Sequence, residues 1–305
     1  SASKTTTFLV GEDGENIIAP SYKLGRAQLW QERQMINYQV AGEHHLPKLG
    51  DLEIAWRGSI VNADRIEPNL RFFSSQYDAE TGTEGIPLAN VNDPYYFWRN
   101  LNDDIKVGAI DFTLPILKQK NDGSKIKVGG FLSNKERNFD EYRYIIATPQ
   151  YATDYTGDID AFFVFDNTGL LRVDKLSGGR SRYVIGNYIN EATRVENSYA
   201  GYEDVSAAYA MVTISPLRKL KLIAGARLES TDIFVQSKIV QIIGETPDST
   251  NTGQIDVTNV LPSANLVYAL GESMNLRGSY NQTLARPNLR EIAPFASFDP
   301  LIDEF

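Results

Sequence analysis

The chain has 305 residues, a formal net charge of −9 and no cysteine. The absence of cysteine excludes disulfides and zinc–thiolate sites, and the acidic balance argues against a nucleic-acid partner, which requires clustered lysine and arginine. No run of about 18 consecutive apolar residues occurs, so the sequence predicts no helical membrane span.

Apolar and polar residues alternate with a period of two, which is typical of half-exposed strands, in four successive pairs of segments. In chain order these pairs are 30–43 with 52–60, 106–117 with 125–133, 205–215 with 219–234, and 261–270 with 274–281. A short link joins the members of each pair, and long irregular stretches separate the pairs, at 62–104, 134–202 and 235–259. This alternation of links is typical of an outer-membrane barrel, since a soluble sandwich has no reason to place every long loop at one end.

Each of the eight predicted strands has an apolar face opposite a polar one. The polar faces carry Arg57, Lys221, Arg227, Glu229 and Arg277. An unpaired charge in a dry core costs on the order of several kcal/mol, and most of this cost disappears in water. We therefore expect these five side chains to face a wet lumen while the apolar faces look toward lipid. A soluble sheet with its apolar face inward gives the same alternation, so that alternative stays open at this point.

Five bulky side chains follow one another in the first long stretch, which suggests a place for ligand contacts. They are Tyr95, Tyr96, Phe97, Trp98 and Arg99. Aromatic rings and a guanidinium can stack on sugars or on the rings of a chelate, so we predict a ligand-binding loop here. The alternative interpretation is an interfacial anchor or a loop that packs on itself.

Other candidate sites are weaker. Asp154, Asp158 and Asp160 have a spacing that a calcium ion could use, but the EF-hand pattern is not met. A solvated acidic loop is the better interpretation, and we predict no metal. The two histidines, His44 and His45, share one short link, which leaves no credible Ser-His-Asp set. We therefore expect neither enzymatic activity nor a cofactor.

Two segments resemble the barrel of TonB-dependent outer-membrane receptors, namely 207–231 and 261–295. In the second, a Leu-Pro-Ser opening, an Asn-Leu-Arg strand and a Thr-Leu-Ala-Arg-Pro tail occur in the order and spacing of that family. A third segment, 32–73, resembles the first barrel strands and includes an Arg-x-Glu-Pro loop entry at 65–68. The resemblance covers most of the chain in patches and is weakest over 134–198.

The resemblance implies an all-β fold, an antiparallel up-and-down transmembrane β-barrel with long extracellular loops. Transporters of this type have about 22 strands, whereas about eight principal strands with their loops use the whole chain. We therefore expect residues 1–305 to form a single partial barrel domain of such a receptor, with the plug domain and the C-terminal barrel strands absent.

The function implied by the resemblance is uptake of a scarce nutrient, such as an iron chelate, a vitamin or a glycan. The nutrient would bind at extracellular loops and enter through a plugged barrel energised by TonB. The implied partners are outer-membrane lipid, the TonB complex acting through the plug, the substrate, and a surface lipoprotein in some cases, and the implied location is the outer membrane of a Gram-negative bacterium. Two other classes stay open: a soluble all-β carbohydrate-binding or glycan-processing protein, and a complete eight-stranded adhesin.

Overall fold

The computed structural model describes residues 2–12, 21–85, 94–116, 123–147, 160, 164–238, 251–271 and 273–293. Its strands are β1 (Ala2–Glu12), β2 (Ser21–Leu46), β3 (Leu52–Asp78), β4 (Thr83–Gly85), β5 (Tyr95–Pro115), β6 (Lys125–Ala147), β7 (Leu170–Lys175), β8 (Ser181–Ile185), β9 (Tyr188–Glu191), β10 (Tyr199–Leu217), β11 (Leu220–Ser237), β12 (Thr252–Ala269) and β13 (Asn275–Asn281). Short helical turns occur at Pro47–Leu49, Phe165–Asn167 and Val195–Asn197, and one α-helical turn, α1, at Leu289–Ile292. Among the helices in these ranges, none has the length and apolarity needed to cross a membrane.

Nine strands follow one another in a single antiparallel sheet, in the order β1-β2-β3-β5-β6-β10-β11-β12-β13. β4 pairs with β3 and β9 pairs with β6, while β7 and β8 form a separate hairpin. The sheet is not closed, because β1 and β13 are its two edges. The predicted all-β, up-and-down architecture is confirmed, and the eight predicted strands are all present, with β1 as an addition.

Whereas the link between β1 and β2 joins strand ends at the opposite end, the four short links that the sequence predicted join strand ends at one end of the sheet, which we call the turn end. They are 47–51, 116–124, 218–219 and 270–274. The long links leave from the opposite end, which we call the loop end. This arrangement is the one that the alternation of short and long links predicted.

The strands extend further toward the loop end than the sequence predicted. β3 has 27 residues and β6 has 23. At about 3.3 Å per residue, β3 is roughly 85 Å long, and at a tilt of about 40° it still extends along the membrane normal for about twice the thickness of a bilayer core. Much of the stretch 62–104, predicted to be irregular, therefore belongs to strands, and that prediction was wrong.

The register divides the side chains between two faces. One row of cross-strand neighbours, on the face that we call the polar face, is Arg57, Ala109, Phe131, Ala207 and Glu229. The adjacent row, on the face that we call the apolar face, is Trp56, Ile110, Gly130, Ala208 and Leu228. Because the side-chain period of a strand is two, these rows fix the face of every other residue in the regular part of the ladders.

The apolar face carries a band of exposed apolar side chains next to the turn end. The band includes Val40, Trp56, Ile60, Ile110, Leu114, Ile126, Val128, Leu132, Leu228, Val260, Leu266, Tyr268, Leu276 and Tyr280. Toward the loop end the same face turns polar at one level, in the row Lys106, Asn134, Asp204, Asp232 and Asp256. Soluble proteins rarely expose a continuous apolar surface of this extent, whereas a transmembrane barrel presents one to lipid.

Two clusters of buried side chains lie on the polar face near the loop end. The first contains Phe139, Tyr199, Ile233, Val235, Leu289 and Ala293, and the second contains Leu70, Tyr95 and Phe97. Leu289 belongs to α1, which begins at a capping box: the Asn288 side chain accepts from the backbone of Glu291, and the Glu291 side chain accepts from the backbone of Asn288. The cap and the burial of Leu289 fix the segment after β13 against the polar face.

Candidate ligand-facing surface

All five charged residues that the sequence assigned to a lumen lie on the polar face. Arg57 and Glu229 belong to one row, and Arg227 is two residues from Glu229 on β11. Lys221 and Arg277 both pair with Val267 of β12, one from each side. The structure thus brings the five onto one surface opposite the apolar band. Their contact with a lumen stays a prediction.

A hydrogen-bonded group spans three strands of the polar face at the level of the apolar band. The Tyr209 hydroxyl on β10 donates to Asp111 on β5, and Lys127 Nζ lies 3.3 Å from Asp111 Oδ2. Gly129 of β6 lies beneath this bond. A Cβ there would be 2.5 Å from Asp111 Oδ1 and 2.6 Å from Tyr209 Cε1, so only glycine leaves room for it. The glycine at position 129 is the only sign of this group in the sequence, and its role can be recognised only when the strand register is known.

A second group joins β11 to the segment after β13. Glu229 is 5% exposed and accepts from Arg227, whose Nε lies 2.6 Å from Glu229 Oε2. Arg286 pairs with the other oxygen of Glu229 and donates from Nε to Thr231 Oγ1 at 3.0 Å. The Arg227 guanidinium also lies 5.4 Å from the ring centre of Phe131. Sequence reasoning found Arg227 and Glu229 but missed Arg286, although Arg286 is the arginine of the Leu-Ala-Arg-Pro motif.

This segment and the polar face border an open cleft of about 460 Å³. It is lined by Arg227, Glu229, Leu261, Ser263, Asn281, Gln282, Thr283, Leu284 and Arg286. The cleft combines hydroxyl and amide groups with two guanidinium groups. Such a lining can hold polar or anionic ligands by hydrogen bonds.

The aromatic segment predicted as a binding loop begins a strand instead. β5 starts at Tyr95, so successive side chains from Tyr95 to Arg99 point to opposite faces. Tyr95 and Phe97 are 9% and 3% exposed in the cluster with Leu70, and they lie on the polar face with Arg99. The expectation that the five side chains project from a loop was wrong, because backbone pairing with β3 and β6 continues to the first residue of the segment.

The other two aromatic residues of the segment face away from this cluster. The Tyr96 hydroxyl donates to the backbone oxygen of Pro68 at 2.9 Å, and its ring lies 6.3 Å from that of Tyr144. Trp98 is 42% exposed. The five residues therefore do not converge on one ligand.

The three residues on the polar face join a network of arginines and acids. Arg99 donates from Nε to Glu141 Oε2 at 2.7 Å, and its Nη1 lies 3.8 Å from Glu67 Oε2. Arg143, which sequence reasoning missed, lies 4.1 Å from the ring centre of Tyr95 and 5.9 Å from that of Phe97. The result is a guanidinium–aromatic surface on β5 and β6, in which the rings are buried and the two guanidinium groups are partly exposed, so it is suited to anionic ligands.

The weak calcium candidate can be followed at one of its three positions. Asp154 and Asp158 lie outside the described residues. Asp160 is exposed, and its carboxylate pairs with Arg71 Nη1 at 2.9 Å. Within the described ranges, no group of three or more histidine or acidic side chains is arranged to hold a metal ion.

Comparison with known proteins agrees with this geometry. A family model described as TonB dependent receptor-like, beta-barrel matches residues 55–300. A comparison with curated proteins found no match. The family match covers well over half of the chain and spans the strands that carry both the apolar band and the polar face. The chain therefore belongs to the TonB-dependent receptor-like β-barrel family.

Proposed function

We propose that the chain is the barrel portion of an active-transport receptor that imports a scarce nutrient, such as an iron chelate, a vitamin or a glycan. The family is one of outer-membrane receptors and transporters. The observation that carries the proposal is the opposition of two faces: a continuous exposed apolar band lies behind a charged, hydrogen-bonded surface. A lipid-facing exterior and a wet interior explain both faces together.

The proposed ligand surface is the polar-face part of the aromatic segment, extended by one arginine. Arg99 and Arg143 supply it with their partly exposed guanidinium groups, and the buried rings of Phe97 and Tyr95 hold these groups in place. Tyr96 and Trp98 face outward and would act there as anchors of the strand. This assignment keeps the guanidinium chemistry expected from the sequence, but it places the ligand against the polar face of β5 and β6 and not in a loop.

The open sheet supports the proposal that these strands are one arc of a larger barrel. Unsatisfied backbone groups at an edge are costly in hydrocarbon, so the edges at β1 and β13 need further strands or closure. A plug domain in the same receptor would then link transport to the TonB complex. The proposed location is the outer membrane of a Gram-negative bacterium, with lipid and the substrate as partners and a surface lipoprotein as a further candidate partner.

The experiment that tests this function is a growth assay after deletion of the gene in its source organism. We expect impaired growth when one iron chelate, vitamin or glycan is the limiting nutrient, with the same defect when TonB is inactivated. Complementation should restore growth and the protein should fractionate with the outer membrane. Recovery of the protein as a stable monomer in plain buffer would instead favour the soluble carbohydrate-binding alternative.

A further inference from the structure

The two faces of the sheet differ in charge as well as in hydropathy. From the turn end to the row of Glu67, the polar face of the described strands β3 to β13 carries ten cations, namely Arg57, Arg65, Arg99, Lys125, Lys127, Lys135, Arg137, Lys221, Arg227 and Arg277. The seven acids on it are Glu53, Glu67, Asp103, Asp111, Glu141, Glu203 and Glu229. Over the same rows the opposite face carries one cation among seven acids, namely Lys106 with Asp64, Asp104, Glu136, Asp140, Asp204, Asp232 and Asp256. A chain with net charge −9 therefore has a cationic polar face.

Most of the excess comes from a single strand. On the polar face of β6 the charged side chains are Lys125, Lys127, Lys135, Arg137, Glu141 and Arg143. They run from the turn end to the guanidinium–aromatic surface near Tyr95. The distance from Lys127 to Arg143 is about 50 Å along the strand at 3.3 Å per residue. β6 thus supplies cations at the level of the apolar band and again at the level of the proposed ligand surface.

Ion pairing does not cancel this excess, because single acids are shared between two cations. Asp103 pairs with Arg137 at 2.6 Å and with Lys135 at 3.6 Å. Glu229 pairs in the same way with Arg227 and Arg286. Each of these groups keeps one net positive charge. A net excess of charge of one sign along a low-dielectric wall raises the local concentration of counter-ions.

We infer that the polar face of β6 forms a cationic path that selects small anionic ligands over neutral or cationic solutes of the same size. The inference rests on the proposed function, because it takes the polar face to line a water-filled interior. The ligand class is defined by its chemistry: a solute with carboxylate, phosphate or another anionic group that Arg143, Arg137 and Lys135 attract in turn. Arg99 and Arg143 beside the aromatic rings would meet such a ligand first.

Residues 1–305 contain no cysteine, so single thiols introduced among them allow a direct test once any cysteine elsewhere in the receptor has been replaced by serine. Ser133 lies on the polar face of β6 opposite Val107 and Val205, and Asn134 is the next residue, exposed on the opposite face. In the intact receptor in lipid nanodiscs, Ser133→Cys and Asn134→Cys are reacted with anionic sulfonatoethyl and cationic trimethylammonioethyl methanethiosulfonates. Each rate is normalised to the rate of the same reagent with a free thiol.

We expect the normalised rate at Ser133→Cys to favour the anionic reagent by about tenfold at low salt, and the rate at Asn134→Cys to favour the cationic reagent. Adding Lys135→Gln should reduce the anionic preference about threefold, since Arg137 still holds Asp103 in place. High salt should reduce it as well.

Two results would overturn the inference, and they have different consequences for the water-filled interior. Equal normalised rates at Ser133→Cys, with both reagents reacting, would remove charge selection and leave the water-filled interior intact. A thiol at Ser133→Cys that reacts with neither reagent, while Asn134→Cys reacts, would overturn the inference by showing that no water-filled path runs along β6 at this level. The growth assay would then decide separately on the proposed function, because a plug domain can cover position 133.

Discussion

Arginine in place of Ile110 puts a charge near the middle of the apolar band. The side chain of Ile110 is 41% exposed on the apolar face. Ten residues separate Ile116, beside the turn end, from Lys106 at the polar boundary, which is about 33 Å along the strand. With a strand tilt of about 40°, this becomes roughly 25 Å along the membrane normal, the height of the apolar band of a barrel. Ile110 lies within about 3 Å of the midpoint.

A lipid-facing arginine at this depth costs about 2 to 4 kcal/mol. The ratio of folded to unfolded protein should therefore fall by a factor of about 30 to 700 for Ile110→Arg, at 1.4 kcal/mol per tenfold change. Denaturant titration in lipid vesicles measures this loss as a free energy of unfolding. The heat-dependent shift in gel mobility reports the same defect as a smaller assembled fraction in cell membranes.

Val107→Arg is the matched control, because it introduces the same side chain on the polar face of the same strand. Val107 lies opposite Ser59 on one side and Ser133 on the other, so the new charge meets no like charge directly across the ladder. We expect a loss of about 0.5 kcal/mol or less in a wet interior. Similar losses for Ile110→Arg and Val107→Arg would refute the assignment of the two faces.

Three further substitutions test the contacts that organise the polar face. Gly129→Ala should lower the free energy of unfolding by about 1 to 3 kcal/mol, because the new methyl group would displace the hydrogen bond between Tyr209 and Asp111. Gly108→Ala is the control: its methyl group enters open space, so thermal unfolding should be nearly unchanged. Leu289→Ala should weaken docking of the segment after β13 by about 2 to 5 kcal/mol, and unchanged hydrogen exchange over 282–293 would contradict this. Glu229→Ala should destabilise the same segment by about 1.5 to 3 kcal/mol by leaving the partly exposed Arg286 without its acid, and Glu229→Asp should recover part of the loss in the exchange assay.

The sequence predicted correctly those parts of the strands that have an apolar face opposite a charged face. Alternation is strong there, since Trp56 and Ile110 must be apolar while Arg57 and Asp111 must not. Toward the loop end the pattern is interrupted: Asn100, Asn102 and Asp104 are polar on the face that is apolar near the turn end, while Phe97 and Leu101 lie on the other face. Backbone pairing needs no amphipathic pattern, so the strands continue where the alternation ends. The long stretches were therefore predicted too long and the strands too short.

The partners within the candidate site could not be read from spacing along the chain. Tyr209 and Asp111 are 98 residues apart, and Arg99 and Glu141 are 42 apart. Each pair depends on a register that is set over dozens of residues. The alternation of side chains along a strand predicts which face a charged residue occupies. Its ion-pair partner depends on which distant strands pair and in what register, and the sequence pattern does not give this.

The extra strand length has a consequence for how a ligand would reach the membrane. Nine residues separate Phe97 from Lys106, which is about 30 Å along β5, and about 23 Å along the normal at a tilt near 40°. The guanidinium–aromatic surface therefore stands well outside the hydrocarbon layer. A ligand held there has still to cross that distance before it reaches the level of Lys127 and Asp111. Under the proposed function, capture and passage use different residues, so substitution of Arg143 should change affinity and substitution of Lys127 should change the uptake rate at saturating ligand.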